Sequence, residues 1–149
     1  MNAAAQSRSI VVEEVLPHSA EKVWRMLTQA ESLAQWLMPN DFKPTVGHQF
    51  TFRTKPMGDW DGVVHCEVLE IRPLQLLRYS WIGGADSNSE YGSKLVSTVT
   101  WTLTAVDGGT RVRMAHEGFG PHNNYAYDAM SGGWGRILKR IDQLITEGK

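Results

Sequence analysis

Four rings with polar tips are the side chains of this sequence best suited to binding chemistry: Tyr79, Trp81, Trp101 and His116. Each ring has an apolar body, and its polar tip needs a hydrogen-bond partner when the ring is buried. Gathered around a void, such rings offer apolar walls and a few directional hydrogen bonds, which suit an aromatic or lipid-like ligand. The same rings could instead fill the core of a small protein, and the residues alone leave both interpretations open.

His116 is the member of this group that could also exchange a proton near neutral pH. A neutral imidazole on an inward strand face could donate a hydrogen bond to a ligand carbonyl or act as an acid or base. The alternative is a histidine whose hydrogen bonds are all satisfied within the core. The sequence leaves both roles open.

The remaining titratable side chains favour structural roles. His65 and Glu67 alternate on one strand and are predicted to face solvent. Asp59 and Asp61 fall in a loop, where close carboxylates could hold a cation, although a solvated turn is the simpler expectation. Cys66 falls on an inward strand face and is predicted to be a small buried hydrophobe. A reactive thiol is the less favoured alternative, because no basic neighbour in sequence lowers its pKa.

Motifs for metal, cofactor and nucleophilic chemistry are missing from the sequence. The five histidines are dispersed, there is a single cysteine, and neither His-Glu-x-x-His nor Cys-x-x-Cys occurs, so we expect no metal. The sequence contains no Gly-x-Ser-x-Gly elbow, phosphate loop or dinucleotide fingerprint, and we therefore expect no catalytic nucleophile and no cofactor.

Composition restricts the class of protein and of partner. A length of 149 residues, 42% of them hydrophobic, predicts one domain spanning residues 1–149. The formal net charge of -1 argues against a general nucleic-acid binder. No apolar run approaches the roughly 18 residues of a membrane span. The single cysteine and a first segment without a secretory core predict a cytoplasmic location.

The first part of the chain predicts a strand followed by two short helices. Residues 10–16 are rich in β-branched side chains and stop before Pro17, whereas residues 1–8 are expected to be loosely ordered. Ser19 is a candidate N-cap for a helix over residues 19–29, since apolar side chains then recur at helical spacing. Residues 31–37 predict a second short helix, which Pro39 prevents from extending.

The middle of the chain changes to a period of two and predicts an antiparallel meander. The predicted strands are residues 49–54, 63–71, 76–82, 96–106 and 110–117. The sequence Asp107-Gly108-Gly109 is the strongest hairpin signal. The connection over residues 83–93 is polar and long for a hairpin, so it is either a mobile flap over the site or a solvated loop.

Residues 126–147 predict one long amphipathic helix that covers an apolar face of the meander. The segment nevertheless contains Gly132, Gly133 and Gly135, and each glycine costs up to roughly 1 kcal/mol relative to alanine inside a helix. Either the helix approaches the sheet closely at these positions, or the missing side chains leave space beside Trp134 for a ligand.

The order of these elements resembles the helix-grip fold of the START-like (SRPBCC) superfamily, which includes the birch-pollen-allergen type. Local motifs sharpen the resemblance to the homologue family of the activator of the heat-shock-chaperone ATPase. They are Val23-Trp24, Trp36, EVLEIRP (67–73), LRYSW (77–81), STVTWTL (97–103), DGGTRV (107–112), HEGF (116–119) and GWGRIL (133–138).

The resemblance implies an α+β fold with a curved antiparallel sheet wrapped around a long C-terminal helix and two short helices after the first strand. It also implies an internal cavity between sheet and helix. Members of the superfamily include small-molecule binders, a few enzymes and co-chaperones, and a homodimer is compatible with the family. Co-chaperone activity in the family involves an additional chaperone-binding domain, for which these 149 residues leave no room.

The function predicted from these observations is binding of a small hydrophobic or aromatic molecule in that cavity. The predicted ligand-binding residues are Trp36, Phe52, Trp60, Tyr79, Trp81, Trp101, His116, Phe119, Tyr127, Met130 and Trp134. One alternative is a cyclase- or hydratase-like enzyme that uses a cavity histidine or tyrosine. Another is a chaperone-interaction module that uses the outer strands or an exposed patch near Trp24 and Trp36.

Overall fold

The computed structural model describes residues 8–88 and 93–148. Within them, strands pair in the order β1-β6-β5-β4-β3-β2, and every neighbouring pair is antiparallel. The strands are β1 (Arg8–Leu16), β2 (Gln49–Arg53), β3 (Val63–Arg72), β4 (Leu76–Gly83), β5 (Leu95–Val106) and β6 (Gly109–Phe119). The predicted meander is therefore confirmed, with strand ends within about two residues of the expected positions.

Two short helices follow β1, and one long helix ends the chain: α1 (Ala20–Thr28), α2 (Ala30–Trp36) and α3 (Asn124–Thr146). The Ser19 hydroxyl accepts a hydrogen bond from the backbone N–H of Lys22 and caps α1 as predicted. A 3-10 turn, Pro121–Asn123, leads into α3. The sequence predicted only a connection there, because three residues are too few to show a helical period.

Alternation along the strands places the apolar side chains under α3. Leu77, Tyr79 and Trp81 of β4 are buried, while Arg78 and Ser80 between them are half-buried on the other face. Helix α3 buries four side chains of its C-terminal two-thirds against this face, at spacings of three and four: Trp134, Leu138, Ile141 and Leu144. The curved sheet, the long helix and the two short helices form the helix-grip fold.

The start of the connection between β4 and β5 is attached to the turn between β2 and β3. The side-chain amide of Asn88 donates to the carbonyl oxygen of Met57 at 2.8 Å, and the Ser87 hydroxyl donates to the Asp59 carboxylate. Residues 89–92 of the predicted flap, like residues 1–7 of the predicted loose terminus, lie outside the described residues.

The helical glycines are not explained by close contact with the sheet. A Cβ atom built on Gly133 or Gly135 meets nothing within 4 Å. On Gly109, by contrast, a Cβ would overlap the carbonyl oxygen of Leu16, so the hairpin glycine is required for the approach of β6 to the end of β1. The close-approach explanation is therefore wrong for Gly133 and Gly135.

We expect Gly135→Ala to raise the free energy of unfolding by up to about 1 kcal/mol, because alanine favours the helix and meets open space. Gly109→Ala is the matched comparison and should lower the free energy by roughly 2 kcal/mol or more, since its Cβ meets rigid backbone. Urea denaturation of both variants checks the signs. A destabilising Gly135→Ala would show that the helix needs this glycine in the folded state.

Candidate functional site

The predicted ring cluster packs against itself. Trp101 is fully buried, and its ring meets the edges of Trp36 at 5.5 Å and Trp134 at 6.0 Å between centroids. The rings of Trp81 and Trp134 lie 6.1 Å apart. Such edge-to-face contacts are the preferred packing of aromatic rings, and they leave no room at Trp101 for a ligand. The centre of the cluster is thus a filled core.

The hydroxyl of Tyr79 is hydrogen-bonded inside this core. It accepts a hydrogen bond from the indole N–H of Trp101 at 3.2 Å, and the tyrosine ring is 1% exposed. Burial raises the pKa of Tyr79, because the phenolate would lose its hydration. The indole N–H of Trp101 therefore has its acceptor inside the core, as a buried donor requires.

His116 forms a hydrogen-bonded chain that connects α3 to three strands. The indole N–H of Trp134 donates to His116 Nδ1 at 3.1 Å, and because an indole can only donate, Nδ1 carries no proton. The proton of the neutral ring is then on Nε2, which lies 2.8 Å from Ser97 Oγ. The Ser97 hydroxyl in turn donates to the carbonyl oxygen of Trp81 at 2.8 Å.

Burial keeps His116 neutral. The side chain is fully buried, and desolvation lowers its pKa to about 3. Both ring nitrogens already have partners, so the histidine has neither a free proton nor a free lone pair to offer a ligand. His116 thus acts as a structural connector.

A pocket of about 240 Å³ opens beside the ring cluster, between the start of α3 and the end of the sheet where β4 stops and β5 begins. It is lined by Met38, Thr54, Trp60, Val64, Trp81, Gly83, Gly84, Ser93, Leu95, Ala126 and Met130. No charged side chain is among these described residues. The lining is mainly apolar, as in sites for small molecules.

A smaller cleft of about 150 Å³ adjoins the pocket along α3. Met38, Trp81 and Met130 line both spaces, and the cleft adds Gly133 and Trp134 among its lining residues. The open space at Gly133 is therefore part of this cleft. Space beside Trp134, which the helical glycines suggested, is present at this position.

The structure brings together four of the predicted ligand-binding residues. Trp60, Trp81 and Met130 line the pocket, and Trp134 joins Trp81 and Met130 in the cleft. The other seven predicted residues line neither space: Trp36, Phe52, Tyr79, Trp101, His116, Phe119 and Tyr127. Most of these seven are buried in the aromatic core.

Tyr127 differs from the other six, because it lies at the surface of the core. Its ring is half-buried, packs against Phe119 at 5.4 Å and is covered by the guanidinium of Arg8 at 3.8 Å. The tyrosine hydroxyl donates to the carbonyl oxygen of Ser9. These contacts attach the start of β1 to the first turns of α3.

Sequence reasoning missed eight of the residues that line the pocket: Met38, Thr54, Val64, Gly83, Gly84, Ser93, Leu95 and Ala126. The signal for Val64 and Leu95 was present, because each shares strand parity with inward-facing neighbours. Gly83 and Gly84 carried a signal as well, since two residues without side chains at a strand end leave space. Met38 and Ser93 lie in connections, where periodicity gives no orientation.

The cysteine and the two loop carboxylates considered in the sequence line neither the pocket nor the cleft. Cys66 is buried as predicted, and burial raises the pKa of its thiol. Asp59 and Asp61 are exposed, and Asp61 accepts a hydrogen bond from the backbone of Val63 within the turn.

The exposed patch expected near Trp36 is not exposed at that residue. Trp36 is 7% exposed, and its indole N–H donates to the carbonyl oxygen of Met26.

The described part of the chain bears on two further features, metal-ligating clusters and helices that could span a membrane. Residues 8–88 and 93–148 contain no cluster of three histidine, cysteine or carboxylate side chains able to hold a metal ion. In the same residues, no helix combines the length and the apolar character needed to cross a bilayer.

The buried histidine predicts a pH-dependent stability. His116 stays neutral in the folded protein down to about pH 3, whereas in the unfolded chain it takes up a proton near pH 6.5. Its contribution is therefore complete above pH 6.5 and is lost as the pH falls, by about 1.4 kcal/mol per unit. We expect His116→Gln to flatten the fall in unfolding free energy between pH 6.5 and pH 4.5, measured by urea denaturation.

The matched control is His65→Gln, which removes an exposed histidine of β3 and should keep the wild-type pH dependence. Equal slopes for the wild type and His116→Gln would contradict the assigned neutral state of the buried ring.

Solved structures with the same fold align with nearly the whole chain. Protein MLL2253 from Mesorhizobium loti is 39% identical, with a TM-score of 0.82 and coverage of 95% of this chain and 99% of that chain. Protein BH1534 from Bacillus halodurans shares the fold at 24% identity, a TM-score of 0.72 and coverage of 92% and 96%.

A third structure, DynU16 from the dynemicin biosynthetic locus, is 22% identical with a TM-score of 0.73. It aligns with 95% of this chain, which spans only 48% of DynU16. No protein of curated function matches the sequence.

The family model for Activator of Hsp90 ATPase homolog 1-like proteins matches residues 17–146, from the residue after β1 to the last residue of α3. The match includes the aromatic core, the buried histidine and all residues that line the pocket. Together with the relative at 39% identity, it shows that this chain belongs to the Activator of Hsp90 ATPase homolog 1-like family.

Proposed function

We propose that this protein binds a small, largely hydrophobic or aromatic molecule in the pocket between the sheet and the start of α3. The observation that carries the proposal is the pocket itself, about 240 Å³ in volume, with two tryptophan rings and no charged side chain among its described lining residues. Apolar surface of a ligand removed from water there provides most of the affinity, at about 25 cal/mol per Å² before the costs of association.

The volume of the pocket sets the size of the ligand. An apolar cavity of about 150 Å³ holds one benzene ring, so about 240 Å³ suits two fused rings or a branched chain of similar bulk. For a bicyclic hydrocarbon of this size, we expect a Kd on the order of 10⁻⁴ M. Larger ligands would have to extend into the adjoining cleft beside Gly133 and Trp134.

The comparisons support a ligand-binding role in general terms. The fold commonly binds hydrophobic ligands, and one structural neighbour comes from a biosynthetic locus. The two tryptophans of the lining, Trp60 and Trp81, favour a planar ligand that can pack against a ring.

The enzyme hypothesis loses the two groups on which it depended. Tyr79 and His116 do not line the pocket, and their polar atoms bind Trp101, Trp134 and Ser97. Neither residue can transfer a proton to a molecule in the pocket. Binding without proton transfer from these residues is therefore the function that the geometry favours, while chaperone contact and homodimer formation stay predictions.

We expect the variant Met130→Trp to lose at least tenfold in affinity for indane, used as an uncharged bicyclic probe. Met130 is half-buried and lines both the pocket and the cleft, so a larger ring there occupies the volume that the probe needs. Titration of the isotope-labelled protein with indane, followed by NMR through the indole N–H signals, measures the Kd.

Tyr125→Trp is the matched control, because it adds a tryptophan to the same helix at a residue that is 52% exposed and lines neither space. The control should bind indane like the wild type. Failure of the wild-type protein to bind indane, or unchanged binding by Met130→Trp, would overturn the proposed pocket.

A further inference from the structure

Ser93 is a buried polar residue in the otherwise mainly apolar pocket. It lies just before β5, where its backbone forms a parallel bridge with Ala85, and it is one of the residues that line the pocket. The residue is only 4% exposed. Water therefore has little access to its hydroxyl in the folded protein.

The hydroxyl of Ser93 is held from one side by Asn123. The side-chain Nδ2 of Asn123 donates to Ser93 Oγ at 3.2 Å and to the carbonyl oxygen of Lys94 at 2.8 Å. The Oδ1 atom of the same amide accepts the backbone N–H of Gly120 at 3.0 Å. These contacts fix which end of the amide faces Ser93, so Asn123 cannot accept the serine proton.

Among the described residues, the hydroxyl proton of Ser93 is left without a partner. Its oxygen accepts one hydrogen bond, but no acceptor for its hydrogen exists among residues 8–88 and 93–148. Ser97, the next serine along the chain, shows the contrast, because its hydroxyl both donates to Trp81 and contacts His116. Protein interiors normally satisfy buried polar groups, and a donor left over at a pocket wall is placed to bind a ligand.

The lining limits what that ligand can be. No lysine, arginine or histidine is among the described residues of the pocket, so an anionic acceptor would lose its hydration without a compensating charge. An uncharged acceptor, such as a ketone or ether oxygen, loses less hydration and can take the proton of Ser93.

We propose that Ser93 determines specificity for an uncharged cyclic compound that carries a carbonyl or similar acceptor, which its hydroxyl orients within the pocket. This inference rests on the proposed function, since it concerns the same pocket. Asn123 is the positioning residue that holds the serine oxygen, and it does not line the pocket itself.

The test compares two probes of the same ring skeleton, 1-indanone and indane, with the wild type and with Ser93→Ala. We expect Ser93→Ala to lower the affinity for 1-indanone about fivefold, because one hydrogen bond is lost. Indane should bind Ser93→Ala as well as the wild type or slightly better, since an apolar probe leaves the serine proton without a partner. Each probe's affinity for the variant is compared with its own affinity for the wild type, so the different hydration of the two probes cancels.

Ser131→Ala is the matched control, since it removes a hydroxyl from α3 at a residue that lines neither the pocket nor the cleft. It should bind both probes like the wild type. Ser93→Cys has a side chain of similar size with a weaker donor, so it should lower the affinity for 1-indanone and leave the affinity for indane unchanged. This variant provides the test if the alanine variant does not fold.

The possible failures of this test are distinguishable. Equal changes for both probes in Ser93→Ala and Ser93→Cys, with indane still bound by the wild type, would overturn the role of Ser93 and leave the pocket standing. Absence of indane binding to the wild type would overturn the proposed function and this inference together.

Discussion

The polar tips of the buried rings must find hydrogen-bond partners inside the protein, and this requirement organises the interior. A buried donor without a partner costs about 1–3 kcal/mol, which is large against the stability of a small domain. Trp134 meets the requirement through His116, and Trp101 meets it through Tyr79. Because the first pair joins α3 to β6, the helix can lie over the sheet only where the indole N–H reaches the imidazole.

That position of the helix divides the interior into two parts. From Trp134 onward, α3 buries a side chain every three or four residues. Before Trp134 it buries only Ala126, with Met130 half-buried. The pocket lies along this first part of the helix, and the adjoining cleft extends from it to Trp134 and Ile137. Helix α3 thus packs tightly toward its C-terminal end and borders open space toward its N-terminal end.

Sequence periodicity predicted the elements and the faces of the strands, but it could not locate the empty space. Strand parity correctly placed Tyr79, Trp101 and His116 inward, because alternation is a property of one strand. Whether those rings touch depends on register between strands, which sets Tyr79 beside Val99 and Val99 beside His116. The pocket is built from strand ends and connections, whose side-chain directions follow no period. Ser93 is therefore identified only by its hydrogen bonds.

The separation of core and pocket has a consequence for how this fold can vary its ligand. The hydrogen bonds that position α3 come from Trp134, His116, Ser97 and the backbone of Trp81, while most residues that line the pocket take no part in them. Substitutions at Met38, Ser93 or Met130 can therefore change the size or polarity of the pocket without breaking the connection between helix and sheet. Trp81 is the exception, because its ring lines the pocket while its carbonyl oxygen ends the hydrogen-bonded chain from Trp134. A change of ring at Trp81 would still leave that carbonyl in place, so ligand contact and helix position depend on different atoms of the same residue.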